Sequence, residues 1–210
     1  MHLHDIYQQF LEGLRQTGPV EFIAVISGIA SVWLSRIENI LVYPVGLVNT
    51  VIYIFISLDG HLYGEASVNL YYTIMSIYGW IWWARKNEQR QHVLQIRYSV
   101  AWEWRNQLLF FASFYLGIYL SLHYLKTHFS PTAIPWADAF ASATAYTGMW
   151  LMAKKKVESW YWWILTNFAS VPLYFVKGYV FTSCYYVILL IMALSGLKAW
   201  IKKAGPIAVP

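Results

Sequence analysis

Apolar runs separated by short polar breaks fill the chain from residue 20 to residue 200. A helix needs about 20 largely apolar residues to cross a bilayer, somewhat fewer when its polar ends reach the interface. Seven stretches meet that need, at about 20–36, 40–58, 64–84, 106–126, 135–153, 158–176 and 179–200. Gly18-Pro19 precedes the first, Asp59-Gly60 closes the second, Ser130-Pro131 and Pro135 precede the fifth, and Lys177-Gly178 predicts a tight turn between the last two. Residues 85–105 form the one long polar connection. The fifth span is diluted by alanine, serine and threonine, which predicts close helix packing rather than exposure to lipid. Ahead of the first span, Ile6, Phe10, Leu11 and Leu14 have helical spacing. They predict a short amphipathic helix at the membrane surface rather than a cleavable signal peptide.

Composition places the chain in the membrane class. It is 59% hydrophobic and 12% charged, against roughly 25% charged in an ordinary soluble domain. The net charge of +5 points to topology rather than to nucleic acid, because the cations lie between apolar segments. With the N-terminus outside, Arg36, Arg85, Lys86, Arg90, Arg97, Arg105, Lys154, Lys155, Lys156, Lys198, Lys202 and Lys203 fall inside. Only Arg15, Lys126 and Lys177 fall outside. The positive-inside rule then predicts an external N-terminus, a cytoplasmic C-terminus and an odd number of spans. The lone Cys184 excludes an intramolecular disulfide. The six histidines have no convincing metal spacing, His2 and His4 lying in the terminal tail.

Similar groups recur along the chain. Gly79 and Trp83 resemble Gly196 and Trp200, Asn49 resembles Asn167, and Glu38 opens the second span as Glu158 opens the sixth, at offsets of 117–120 residues. The pattern predicts an all-α polytopic protein of seven transmembrane helices, arranged as three spans, one linker span and three spans. An odd linker leaves the two triplets parallel, a known transporter plan with its site between the repeats. The corresponding division is 1–19 for the amphipathic segment, 20–86 for the first repeat, 87–130 for the polar connection and linker, 131–203 for the second repeat, and 204–210 for the tail.

Deep ionisable residues mark ion coupling or proton relay in membranes. Glu21, Glu38, Asp59, Glu65, Asp138 and Glu158 all fall at span ends, which argues against both. It also argues against hydrolysis by paired acids or a zinc site, and no cofactor is expected. Neutral polar residues stand out instead. Asn49, Asn69 and Asn167 each place an amide in a span, where it needs a partner; helix–helix glue accounts for Asn49 and Asn69 equally well. Asn69, Tyr72, Thr73 and Ser76 share one face. Trp160, Trp163 and Asn167, at i, i+3 and i+7, share another. Tryptophans near a helix end suit an interfacial belt as well as a ligand box. The shared asparagine favours the box, and Pro172 is expected to free the carbonyl of Phe168 further along the helix.

The run Glu158-Ser159-Trp160-Tyr161-Trp162-Trp163-Ile164-Leu165-Thr166-Asn167 resembles the W-x-x-W-x-x-x-N signature of the Pnu family of vitamin transporters. Residues 37–49, IENILVYPVGLVN, and 71–83, YYTIMSIYGWIWW, are similar to that family as well. The resemblance implies a three-plus-one-plus-three fold like that of SWEET sugar transporters, assembled as a homotrimer in the bacterial inner membrane. It implies facilitated diffusion of nicotinamide riboside, a vitamin B3 form and NAD precursor, made one-way by cytosolic phosphorylation. Thiamine, also flat and cationic, is the alternative within the family. Carried over by position, Trp160 and Trp163 would hold the ring and Asn167 its polar edge, with Asn49 as the matching position in the first repeat. Asn69 and Tyr72 join this set from their shared face. The partners expected are the vitamin, membrane lipid and other copies of the chain, not nucleic acid.

Overall fold

The computed structural model describes residues 3–59, 63–89, 92–129 and 133–205. They form eight helices: α1 (Leu3–Gln16), α2 (Pro19–Arg36), α3 (Val42–Asp59), α4 (Tyr63–Ala84), α5 (Ala101–Phe129), α6 (Pro135–Ala153), α7 (Ser159–Val176) and α8 (Val180–Ala204). Among the described residues there is no strand, only isolated bridges from Lys86 to His92 and from Arg97 to Lys156. Each helix from α2 to α8 overlaps one predicted span. The boundary that moves most is the start of α5. Glu103 accepts a hydrogen bond from the Val100 backbone N–H at 3.0 Å, half of a capping box, so the helix begins at Ala101 rather than near 106. Gly60, Arg90, Ser130-Pro131, His2 and residues 206–210 lie outside the described residues.

The helices close a ring. α2 packs on α3, α3 on α4, α4 on α6, α6 on α7, α7 on α8, and α8 back on α2. α5 lies outside the ring against α6, and α1 docks on α8, where Phe10 meets Phe181 with ring centroids 5.6 Å apart. α6 is the most enclosed helix. Ala139, Ala141, Ala143, Thr144, Ala145, Thr147 and Gly148 are all buried, as its small residues led one to expect.

By length and composition alone, α2, α3 and α8 are apolar enough to cross a membrane. α4, α5, α6 and α7 fall short of the same measure, and α4, α6 and α7 turn polar side chains toward their neighbours. Ser76, Thr144, Thr147, Thr166, Asn167 and Ser170 are all buried. Water-soluble proteins hide apolar side chains in this way; here the polar ones are hidden and the apolar ones face outward, as with Phe55, Phe168 and Ile191, each more than 60% exposed.

The turns after α2 and α6 share one hydrogen-bond pattern. Glu38 N–H donates to the Ser35 carbonyl and Asn39 N–H to that of Leu34; 117 residues on, Lys155 N–H donates to Met152 and Lys156 N–H to Leu151. Glu38 and Lys155 both take positive φ, 64° and 53°. Counterparts at this spacing also touch each other. Ser35 Oγ donates to Met152 Sδ at 2.9 Å, Glu38 pairs with Lys155 at 2.7 Å, and Trp83 meets Trp200 at 6.2 Å.

One end of the ring is plugged. Tyr43, Trp83, Trp160 and Trp200, each at most 2% exposed, cluster with Ile96, Met152, Val157 and Ala193. Two rings are wedged against glycines. A methyl group on Gly79 would stand 2.5 Å from the Tyr43 ring, and one on Gly196 would stand 2.4 Å from Trp160. The polar connection folds beneath this plug: Ile96 joins it, and Arg97 exchanges backbone bonds with Lys155 and Val157.

Candidate functional site

From the plug, α7 and α4 climb toward the opposite end of the ring with their polar faces near each other. On α7 the successive positions are Trp160, Trp163, Asn167, Ser170 and Tyr174; on α4 they are Trp83, Gly79, Ser76, Tyr72, Asn69 and Glu65. Spacing of three and four residues keeps each series on one helix face. Trp163 lies across Gly148 of α6, with indole atoms 3.2–3.3 Å from where a Cβ would stand. Its ring is 6.1 Å from that of Tyr72. Tyr72 in turn meets Tyr146 edge-on at 6.3 Å, and Tyr71 donates to the Tyr146 carbonyl at 3.0 Å. The glycine therefore acts as a shelf that lets a large flat indole lie close to the backbone.

Asn167 sits one turn beyond Trp163. It is 4% exposed, and among the described residues its amide makes no hydrogen bond. A primary amide offers two donors and an acceptor, and burying it unpaired costs about 1–3 kcal/mol. Its neighbours are otherwise satisfied: the Thr166 hydroxyl lies 2.9 Å from both Thr144 Oγ1 and the Trp162 carbonyl, either of which accepts its one proton. An open amide above a half-buried indole is the arrangement a flat ligand with a polar edge requires.

The other expected residues divide. Tyr72 stands in the aromatic wall with Trp163. Trp160 does not: it is 1% exposed, packed on Gly196 and edge-on to Trp200 at 5.6 Å. The i, i+3 spacing puts both tryptophans on one face, but one turn is enough to sink the first into the plug. Asn49 donates to the Ala24 carbonyl of α2 at 2.7 Å, and Asn69 donates to the Glu65 carbonyl on its own helix at 2.9 Å. Both are thus tied to backbone in this conformation. At the 117-residue spacing of the two similar turns, the position matching Asn167 is Thr50 and the one matching Glu38 is Lys155, whereas Asn49 and Glu158 lie at offsets of 118 and 120. Phe168 points outward, 68% exposed. The carbonyl near Pro172 that gains a partner is Val171, bonded by Ser183 Oγ at 2.8 Å. A pocket of about 450 Å³ beside α1 and the start of α8, lined by Gln9, Glu12, Glu21 and Phe181 among others, shares no lining residue with this wall.

Sequence reasoning missed the polar strap around the plug. Glu158, 2% exposed, accepts from both the N–H and the Oγ of Ser99, at 2.8 and 2.9 Å. Gln107 extends the chain from Ser99 to the Trp162 indole. Glu38 binds Lys155 and Lys203. Burial pushes its carboxyl up, but the two ammonium groups outweigh burial and hold it below the usual carboxylate range. Glu103 is lowered in the same way, burial being overcome by Lys156, the Val100 N–H and Arg97. Lys156 is held below the usual lysine range by burial, which its bond to Glu103 offsets only in part. The signal for this strap was the pairing of acids and lysines at the ends of distant helices, which no local pattern reveals.

A family model described as nicotinamide mononucleotide transporter matches residues 18–202. The chain is 26% identical over 205 residues to the nicotinamide riboside transporter PnuC of Escherichia coli strain K12, covering 88% of this chain and 86% of that one. It is 25% identical over 181 residues to the riboflavin/roseoflavin transporter RibM of Streptomyces davaonensis, with coverages of 86% and 83%. A crystal structure of the vitamin B3 transporter PnuC aligns with a TM-score of 0.70 at 21% identity, over 96% of this chain and 89% of that one. That likeness is one of fold.

Proposed function

The chain belongs to the nicotinamide mononucleotide transporter family, and from that premise we propose that it carries nicotinamide riboside across the bacterial inner membrane as a multi-pass transporter, not an enzyme. The observation that carries the reading is the Trp163 indole laid on Gly148 beneath the unpartnered amide of Asn167. The pyridinium ring of the riboside stacks on the indole, gaining cation–π attraction of about 1–2 kcal/mol where water is excluded. Asn167 meets its carboxamide, Tyr72 closes the wall, and Trp160 forms the floor. Asn49 and Asn69 hold their helices and join the site only if it rearranges. The inner faces of α4 and α7 carry no lysine or arginine for a phosphate, which favours the riboside over the mononucleotide. Riboflavin, the cargo in RibM's name, is the second reading, ahead of thiamine.

The mechanism we infer is facilitated diffusion by alternating access. α2–α4 and α6–α8 form parallel repeats 117 residues apart, as in SWEET transporters, joined by α5. Seven helices span the membrane, and the residue pairs that touch their own counterparts lie on the axis between the repeats. By the excess of cations at that end, the plug is the cytoplasmic gate, with the N-terminus outside and the C-terminus in the cytosol. Tyr43 Oη, Trp83 Nε1 and Trp160 Nε1 are buried in the gate without partners, while Trp200 Nε1 donates to the Ser35 carbonyl at 3.0 Å, so both packing and a few hydrogen bonds close it. Opening hydrates those groups, which keeps the two states close in energy. Cytosolic phosphorylation traps the riboside, and three copies assemble in lipid as a homotrimer.

Calorimetric titration of the purified protein with nicotinamide riboside, riboflavin and thiamine tests the reading. Binding of the riboside is expected, weakened about 100-fold by Trp163→Ala or Asn167→Ala, equivalent to about 2.7 kcal/mol. Binding of riboflavin alone would keep the site and change the vitamin. Unchanged affinity in both variants would remove the site.

A further inference from the structure

We propose that Gln107 of α5 is a positioning residue for the binding face of α7: it links a buried hydrogen-bond chain that fixes the rotation of that helix and so keeps the Asn167 amide open. The inference rests on the vitamin reading above and deepens it. Glu158, Trp162 and Thr166 follow one another at four residues and form one stripe. At 3.6 residues per turn, that stripe lies about 120° round the helix from Trp163, Asn167, Ser170 and Tyr174. It faces α5 and α6, and each side chain on it is tied. Trp162 Nε1 donates to Gln107 Oε1 at 3.1 Å, and Gln107 Nε2 donates to Ser99 Oγ at 2.7 Å. Ser99 Oγ and its N–H then donate to the Glu158 carboxyl at 2.9 and 2.8 Å. The donors all point one way along the chain, so each bond polarises the next. One turn further on, Thr166 Oγ1 lies 2.9 Å from Thr144 Oγ1 of α6.

Gln107 is fully buried, whereas Leu108 and Leu109 beside it are more than half exposed. An amide buried on the linker helix therefore touches no ligand in this conformation; its partners are Trp162 and Ser99. Packing follows the same line, since Phe111, one turn beyond Gln107, meets the Trp162 ring at 5.1 Å. The front of α7 is the opposite case. Asn167 is buried and unpaired, and a rotation of α7 toward any acceptor would relieve that cost. The same rotation would pull Trp162 off Gln107 and strand a buried donor and a buried acceptor. The flank is thus satisfied so that the front stays open. An amide held open before the ligand arrives is preorganised, and affinity gains from it.

The test is a thermodynamic cycle. Nicotinamide riboside is titrated into wild type and into the paired variant Gln107→Met with Trp162→Phe, each with and without Asn167→Ala. The paired variant removes donor and acceptor together and strands neither, so its stability should change little. Its affinity is expected to fall about tenfold, and in that background Asn167→Ala should cost about tenfold instead of about 100-fold, a coupling of about 1.4 kcal/mol. Ser99→Ala cuts the chain at a half-buried residue and leaves Gln107 and Trp162 in place; it should give a coupling of about threefold, and it decides the question if the paired variant does not fold. A chain that only stabilises the fold would lower the melting temperature and leave the cost of Asn167→Ala at its wild-type value. That additive result, or wild-type affinity in the folded variants, would overturn the assignment. Wild type that does not bind the riboside, or Asn167→Ala that binds it as wild type does, would overturn the site reading itself, and the role of Gln107 with it.

Discussion

Replacing Gly196 with alanine puts one methyl group where the plug has no room. The new Cβ would lie 2.4 Å from Cη2 and Cζ3 of Trp160 and 2.6 Å from its Cζ2. Trp160 is 1% exposed and braced by Trp200, so the ring has no free direction in which to retreat. Overpacking of this kind costs about 1–3 kcal/mol. The cost falls on the plugged state and is relieved when the helix ends separate, so the equilibrium shifts toward the state open at that end. At 1.4 kcal/mol per decade the shift is about 5- to 150-fold. The assay is thiol labelling of a cysteine placed at Ser76, in a background where the exposed Cys184 is replaced by serine, with reagent added from the cytoplasmic side of inverted vesicles. Labelling should rise by that factor in the Gly196→Ala variant, and likewise for Gly79→Ala, whose methyl would meet Tyr43. Gly117→Ala, with nothing within 4 Å of its Cβ, is the control. No increase in labelling, with the variants folded and stable, would refute the idea that this aromatic–glycine wedge is a gate.

Acid should loosen the strap. Glu38 and Glu103 have folded-state carboxyls held below their ordinary range, so their contribution is complete at neutral pH and is lost as pH falls through that range and below it. Thermal stability should fall in step, and Glu38→Gln should blunt the fall while lowering neutral-pH stability by about 1–3 kcal/mol, because the buried Lys155 loses its partner; an unaltered acid profile in that variant would contradict this. Uptake into vesicles without ATP should stop at equal concentrations and ignore proton and sodium gradients, whereas accumulation abolished by an ionophore would show coupling. A C-terminal reporter should be active in the cytosol, and periplasmic activity would reverse the orientation.

Much of this architecture was legible without coordinates. A bilayer admits few solutions for an apolar backbone, so run length and Pro/Gly breaks located all seven long helices, and Ile6, Phe10 and Leu14 located α1. The small residues of 135–153 announced the most enclosed helix for the same reason, since close approach of backbones needs them. The face shared by Trp163 and Asn167, and the separate face that carries Tyr72, were likewise accessible, because helical periodicity is local; that the two faces meet was not.

Depth along the passage was not local. Trp160 and Trp163 are equivalent by periodicity, and only the packing of α7 against α8 and α6 decides that one fills Gly196 while the other rests on Gly148. Asn49 and Asn167 look alike in sequence, yet one finds the Ala24 carbonyl within reach and the other finds no partner. The strap of Glu38, Glu103 and Glu158 joins residues more than 50 positions apart. Sequence by itself determined which segments become helices and which faces are polar, because those follow from backbone hydrogen bonding and a 3.6-residue repeat. Tertiary structure alone decided which polar groups are spent on holding helices together and which are left without a partner, because that depends on distances between helices.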